Sequence, residues 1–445
     1  MGDDGSGRVA IVGAGLGGAL MGAALAGAGY DVDLYERRSD PRGREVAAGR
    51  SINLAISTRG LHALAQVGIE RQILDVAVRM PGRMIHAPDG QLSFQPYSKN
   101  AIDAINSVSR LGLNIALLNA AEKCENLRVF FDHRCVGVDL DTATVEFSTA
   151  GSNETRRVKS RFVIGADGAF SAVRAQMQRT DRFSFSQSYL EHGYKELTVL
   201  PSEDGRHQLE KNALHIWPRK SFMMIALPNC DGSFTCTLFW PFEGPNSFAA
   251  IRSEDDVLRF FNEQFRDAVP LLPNLAEDFR QSPTSSLVTV RCGPWSYRDK
   301  VVLLGDACHA VVPFYGQGAN AAFEDCTVLH ECIAAHAPDL GRAFVEYYEK
   351  RKRHCDTLAD LAIGNFLEMR DRTGSKTFLL KKKGEKLMHR LLPGWYVPLY
   401  SMVTFSRIPY ADAVDRSNRQ HRVIRNVVVV IALLVVILVV RMLLG

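Results

Sequence analysis

Gly13-Ala14-Gly15-Leu16-Gly17-Gly18 follows the apolar run Arg8 to Val12 and leads into a small-residue stretch that ends near Gly29. In Gly13-x-Gly15-x-x-Gly18 the first glycine permits a tight turn, the second lets a pyrophosphate approach the backbone, and the third allows close helix packing. Asp31 to Tyr35 reads as the next strand, closing on Glu36. The spacing predicts a βαβ unit whose helix N-terminus offers free N–H groups to phosphates. Glu36 is placed to accept hydrogen bonds from an adenosine ribose, and its charge would repel a 2′-phosphate, so FAD or NAD is expected there rather than NADP. The plainer alternatives are a ligand-free glycine turn, or a membrane helix packed through Gly18-x-x-x-Gly22.

Two further stretches bear on which dinucleotide it is. Gly165-Ala166-Asp167-Gly168-Ala169-Phe170-Ser171-Ala172-Val173-Arg174 follows the strand pattern Arg161 to Gly165, and Gly305-Asp306-Ala307-Cys308-His309 follows Lys300 to Leu304. Each sets an aspartate just after a strand's carboxyl end, where open α/β sheets bind ligands. Either aspartate alone could equally cap a helix. Asp306, Cys308 and His309 also invite a thiol-nucleophile reading, but neighbouring side chains on a helix start diverge by about 100° and seldom face one another.

Helices are expected at about Thr58 to Val67 and Arg110 to Cys124, with a hairpin from Arg83 to Tyr97 turning at Asp89-Gly90. Strand patterns return at Val136 to Phe147. From Phe183 to Val290 the chain is β-rich, in "HGYKELTV", "FMMIALP" and "FTCTLFWPF", with Asp231-Gly232 as a turn. This reads as an antiparallel-sheet domain inserted into the first domain, which resumes at Lys300. Downstream of Phe323 the pattern is helical to about Tyr410.

With 445 residues the chain has room for two domains of ordinary size. A net charge of +4 gives no reason to expect nucleic acid as a partner. Nine cysteines without a Cys-x-x-Cys spacing suggest free thiols in a reducing compartment, and no metal site is expected. Met1 to Ser6 fits the loose myristoylation pattern, though an acidic leader is the simpler reading. Val427 to Val440 is uninterrupted aliphatic sequence preceded by Arg416, Arg419, Arg422 and Arg425, which suggests a tail anchor with the basic side in the cytosol. Lys381, Lys382 and Lys383 form a second basic cluster that could meet a membrane surface.

Three motifs in this order, with a β-rich insert between the second and third, resemble the single-component FAD-dependent aromatic hydroxylases. "GRSINLA" (49–55), "GRMIH" (82–86), "SVSR" (107–110), "LHIWPR" (214–219), "FMMIALPN" (222–229), "FTCTLF" (234–239), "FEDC" (323–326) and "PLYSMVTFSRI" (398–408) are similar to the members that hydroxylate L-kynurenine at ring position 3. The resemblance runs from about Arg8 to Tyr410. It implies an α/β fold: a Rossmann-like FAD-binding domain with an inserted antiparallel substrate domain, C-terminal helices and a C-terminal transmembrane helix. The expected segments are 1–80, 106–182 and 291–340 for FAD, 81–105 and 183–290 for substrate, 341–420 helical, and 423–444 as anchor.

For FAD the motifs and the resemblance together nominate Gly13, Gly15, Gly17, Gly18, Tyr35, Glu36, Arg37, Arg38, Ala55, Arg110, Cys135, Asp167, Ala172, Asp306, Gly318, Ala319 and Asn320. The resemblance implies that Arg83, Tyr97, Asn365 and Tyr400 hold the amino-acid head of kynurenine, with Pro313, Phe314 and Phe239 lining the aryl pocket. A guanidinium with two phenol hydroxyls is a sensible carboxylate clamp. The flavin carries the chemistry, so no catalytic side chain is expected. NADPH and O2 are the implied co-substrates, with NADPH docking transiently, since no second Gly-x-Gly-x-x-Gly unit is present. No obligate protein partner is evident, and the mitochondrial outer membrane is the implied location. Two alternatives stay open: a flavoprotein acting on another aryl substrate, and a non-catalytic, membrane-recruited carrier with a dinucleotide fold.

Overall fold

β1 (Val9–Val12) is buried along its whole length, as are β2 (Val32–Tyr35), β12 (Phe162–Gly165) and β19 (Val301–Leu303). Strands covered on both faces need continuous apolar sequence, which is the signature of a parallel sheet between helices. In the computed structural model these strands and β8 (Leu127–Phe130) run parallel, in the order β18-β19-β12-β1-β2-β8, with β18 (Ser296–Tyr297) antiparallel at the edge. Residues 7–43, 53–98, 102–149, 154–368 and 394–444 are described, with Gly384, Met388 and Leu392 besides. Met1 to Ser6 and Lys381 to Lys383 lie outside them. Two compact units divide the chain, Met1–Thr373 and Gly374–Gly445.

The register decides where the site is. Val12 lies opposite Gly165, and Gly165 opposite Leu303. The three motif turns therefore leave adjacent strands at the same end of the sheet. α1 (Leu16–Gly27), α4 (Arg110–Ala121), α9 (Gly318–His336) and α10 (Leu340–Leu367) belong to this layer, α1 packing against both α4 and α9 and α10 against α9. Shorter helices fill in: α2 (Thr58–Gln66), α3 (Glu70–Asp75), α5 (Ala172–Met177) and α8 (Asp306–His309). Two three-stranded sheets flank them. One is β3 (Asn53–Ile56), β7 (Ile105–Ser109) and β4 (Val78–Met80); the other is β11 (Thr155–Lys159), β10 (Thr144–Thr149) and β9 (His133–Asp139). The strand patterns from Val136 to Phe147 thus fall in the β9–β10 hairpin.

A seven-stranded sheet forms the second layer, in the order β17 (Ser285–Gly293), β13 (Ser184–Val199), β16 (Phe234–Pro241), β15 (Phe222–Pro228), β14 (Leu214–Arg219), β5 (Gly82–His86) and β6 (Leu92–Pro96). All its pairings are antiparallel except β14 with β5. The hairpin of residues 82–96 therefore joins the sheet built mostly from the later β-rich stretch. That β-rich stretch also contains two helices, α6 (Glu254–Gln264) and α7 (Leu275–Gln281). Their Val257, Phe260, Phe261, Leu275 and Phe279 bury the outer face of the sheet against Leu197, Trp217, Phe222 and Trp240. Helix α6 opens on a capping box between Ser253 and Asp256, which satisfies two N–H groups at its start.

In the second unit α11 (Leu399–Phe405) is followed by α12 (Tyr410–Leu444), an unbroken helix of 35 residues. It buries Tyr410, Ala411 and Ala413 in its first turn, whereas its side chains from Val427 on are exposed. At 1.5 Å per residue it is about 52 Å long, more than the roughly 30 Å of a hydrocarbon core. Among the described residues it is the one helix long and apolar enough to cross a membrane.

Candidate active site

The glycine turn after β1 is shaped by contacts that only glycines allow. Gly13 has φ +103°, and a Cβ there would lie 2.6 Å from the Ala166 carbonyl oxygen. A Cβ at Gly18 would lie 1.8 Å from the Gly13 oxygen. Gly15 differs: a Cβ on it would meet nothing within 4 Å, so the protein leaves this side of the turn open. Helix α1 begins here with no side-chain cap and no acid in its first turn, leaving its N–H groups and dipole to an anion. A dinucleotide pyrophosphate fits that cradle.

Glu36 closes the turn from β2, accepting from Ala14 N at 3.0 Å and from Arg38 N at 3.1 Å. Arg37 and Arg38 are exposed beside it. Tyr35 is buried, stacked between Phe130 and Phe147 at 4.9 and 4.1 Å, with its hydroxyl 3.5 Å from Asp33. Cys135 is buried as well, and that burial pushes its thiol up to about 12. Arg110, the first residue of α4, is exposed.

The second and third motifs are tied together by a side chain the sequence did not single out. Arg174 is 3% exposed and donates to the Ala307 carbonyl and to the Ala169 carbonyl, both at 2.7 Å. Asp167 accepts from Ser171 Oγ at 2.5 Å, from Ala172 N at 2.6 Å and from Val173 N at 3.3 Å, and so caps α5. Asp306 is exposed and makes no side-chain hydrogen bond among the described residues, so it remains available to a ligand hydroxyl. Behind it lies a buried charge cluster. Asp325 accepts from His309 Nε2, from Arg351 Nε at 2.7 Å and from Gly305 N at 3.2 Å; Glu324 accepts from Arg351 and Arg59. Although burial opposes charge on His309, the Asp325 carboxylate holds the imidazolium well above its ordinary range.

Cys308, His309 and Asp325 bring one sulfur, one nitrogen and one oxygen within 4.8 Å, a spacing that a metal could use. Both Asp325 oxygens already serve cationic donors, and burial pushes the Cys308 thiol far above its ordinary range. A buried, protonated thiol is a poor nucleophile, and Cys308 fills space in the core of the first layer.

Gly318, Ala319 and Asn320 form the first turn of α9. Asn320 is fully buried, accepting from Ser57 N at 2.9 Å and donating to the carbonyls of Ala55 and Gly316 at 2.8 and 2.9 Å. It stitches β3 and α2 to α9, and so positions the Ala55 and Gly318 backbones.

On the substrate side, the Arg83 guanidinium lies 5.2 Å over the Tyr97 ring, which fixes the two as a pair on the β5–β6 hairpin. Phe314 stacks on Phe366 at 4.3 Å and contacts Phe239 at 4.8 Å. Asn365 of α10 donates to the Phe314 carbonyl at 2.6 Å, while Pro313 is exposed. Ile216, Met223, Phe239, Val312, Phe314 and Phe366 make one apolar cluster on the inner face of the seven-stranded sheet. Tyr400 lies on α11 of the second unit, its ring 6.1 Å from Phe405. A seam missed in the sequence joins the layers: Asn53 Nδ2 donates to Ser107 Oγ, the Pro228 carbonyl and Asn229 Oδ1.

The FAD binding domain family matches residues 7–361. The chain is 47% identical over 421 residues to the kynurenine 3-monooxygenase of Salinispora tropica, covering 94% of this chain and 92% of that one. It is 45% identical over 426 residues to the enzyme of that name from Dictyostelium discoideum, covering 93% and 91%. The chain belongs to the kynurenine 3-monooxygenase family. It is thus an FAD-dependent monooxygenase, and the cradle at Gly15 with the free Asp306 fits that cofactor. Among solved structures, 2-methyl-3-hydroxypyridine-5-carboxylic acid oxygenase shares the fold, with a TM-score of 0.68 at 21% identity over 84% of this chain and 95% of that one. Tetracycline destructase Tet(51) gives 0.61 at 17% identity over 88% and 98%. The chain thus shares its fold with enzymes named for other substrates.

Proposed function

We propose that this enzyme hydroxylates L-kynurenine at ring position 3, consuming NADPH and O2. The observation that carries this is the identity of 42–47% over 90–94% of the chain to enzymes named for that reaction, spanning both layers of the site. FAD, when bound, accepts hydride from NADPH and supplies the activated oxygen. The chain's own residues do the rest. The N–H groups of α1 hold the pyrophosphate, Glu36 the adenosine ribose and Asp306 the ribityl hydroxyls. Arg83 holds the substrate carboxylate with Tyr97, and Asn365 completes the amino-acid subsite. Phe239 and Phe314 pack the ring and keep water from the reacting face.

The test is NADPH oxidation with and without L-kynurenine, read together with the appearance of 3-hydroxykynurenine. Oxidation that yields hydrogen peroxide alone overturns the substrate. We also infer that α12 anchors the enzyme in the mitochondrial outer membrane with its catalytic part in the cytosol. The exposed apolar turns from Val427, behind Arg416 to Arg425, support that reading. Truncation before Arg422 should release the protein from membranes in a flotation assay.

A further inference from the structure

The inner face of the seven-stranded sheet can be followed strand by strand. Ile85 pairs with Ile216, Ile216 with Ile225, Ile225 with Thr237, and Thr237 with Glu196. One row thus crosses from β5 to β13 through three isoleucines and a threonine and ends on a carboxylate. Ile85, Ile216, Ile225 and Tyr194 pack in the inner cluster with Phe239 and Phe314, whereas Leu197, Trp217, Met224, Cys236 and Leu238 face the opposite core. Side chains alternate along a strand, so Glu196 shares the inner face with Tyr194, and Arg83 shares it with Ile85. An arginine stands at one side of an apolar floor and a glutamate at the other.

Glu196 is half-buried, and its carboxylate makes no hydrogen bond among the described residues. Burial pushes its carboxyl above the ordinary range; the charged group that opposes this is Arg110, at the start of α4 and nominated for FAD. The acid therefore belongs to the flavin side of the floor. Kynurenine matches that layout, with a carboxylate at its amino-acid end and an aniline N–H donor on the ring. An ionised glutamate is an acceptor only. Four strand steps separate β5 from β13, roughly 19 Å of backbone. A ring and a short chain would lie along that floor between the two groups.

We propose that Glu196 is a specificity-determining residue, accepting a hydrogen bond from the substrate's aniline N–H and thereby setting which ring carbon faces the flavin. This rests on Arg83 holding the carboxylate of the same substrate. A site built around a donor on the substrate discriminates strongly against an analogue that lacks it.

The experiment uses the full-length holoenzyme and two ligands, L-kynurenine and its analogue with hydrogen in place of the aniline amine. Binding is read from perturbation of the flavin absorbance. The wild type should favour kynurenine about tenfold or more, the range of a charged hydrogen bond. Glu196→Leu should bring the two ligands to near-equal affinity, while Glu196→Gln, which keeps an acceptor oxygen, should retain part of the preference. Flavin content and FAD affinity should stay unchanged in both variants. An unaltered preference in Glu196→Leu overturns the proposal. So does a loss of FAD affinity with equal weakening of both ligands, which assigns Glu196 to Arg110 instead. Arg83→Ala separates the two readings: it should weaken both ligands alike, and if it weakens neither, the carboxylate clamp fails whatever Glu196 does.

Discussion

Asp167 accepts hydrogen bonds from Ser171 and from the amides of Ala172 and Val173, whereas Asp306, in a motif of the same kind at a neighbouring strand end, has no side-chain partner among the described residues. The difference lies in the backbone on either side of each aspartate. After Asp167 the loop turns through Gly168 at φ +84° and delivers the start of α5 back onto the carboxylate. After Gly305, at φ +62°, Asp306 is itself the first residue of α8, which has no side-chain cap, so its carboxylate is not engaged by the helix it begins. Two similar strings of sequence thus yield one aspartate that organises protein and one that is free to organise a ligand.

The largest effect should come from removing the cation that holds the Gly305 turn in place through Asp325. Arg351→Met leaves Asp325 and Glu324 short of a buried cation, which typically costs about 3–5 kcal/mol. Thermal unfolding of the apoprotein should show it, and FAD affinity should fall too because Asp325 holds Gly305 N. Asp306→Ala is the converse. It should weaken FAD by about 10- to 100-fold, as for loss of a charged hydrogen bond, in a fluorescence titration, with the apoprotein's unfolding temperature unmoved. Asp167→Ala should lower apoprotein stability by about 0.5–2 kcal/mol, the loss of a helix cap, with a smaller change in FAD affinity than Asp306→Ala. If the two alanine variants proved interchangeable in both assays, the contrast would collapse. Cys308→Ala should be the mildest, under about 1.5 kcal/mol in stability with monooxygenase activity kept, whereas a thiol enzyme would lose everything.

The glycine turn after β1 was readable because its geometry is local. Gly13, Gly15 and Gly18 belong to one turn; the steric reason for Gly13 and Gly18 appears within that turn or against Ala166, and Gly15 leaves its side open. The hairpin turning at Gly90 and the turn at Gly232, both at positive φ, were readable for the same reason. The parts that stayed hidden depend on partners far apart in the chain. Arg59, Glu324 and Arg351 meet across α2, α9 and α10, and Arg174 reaches Ala307, with no local pattern to announce either. "HGYKELTV" identifies a strand but not which of its faces looks inward; Glu196 acquires its meaning only from Thr237 and Tyr194 beside it. The helix α6 did have a signal, since Ser253 with Asp256 at the third position is a cap that the β-rich surroundings obscured.

The parallel pairing of β5 with β14 has a consequence for the order of assembly. Arg83 finds its partner Leu214 only about 130 residues further along the chain, so during synthesis the hairpin emerges long before the strand that seats it. Until then it is a two-stranded ribbon, marginal by itself, with an unpaired edge. The strand carrying the proposed substrate arginine therefore waits on β14 for its place in the sheet, and a nascent chain stalled before residue 214 would hold the glycine turn and no seat for that strand.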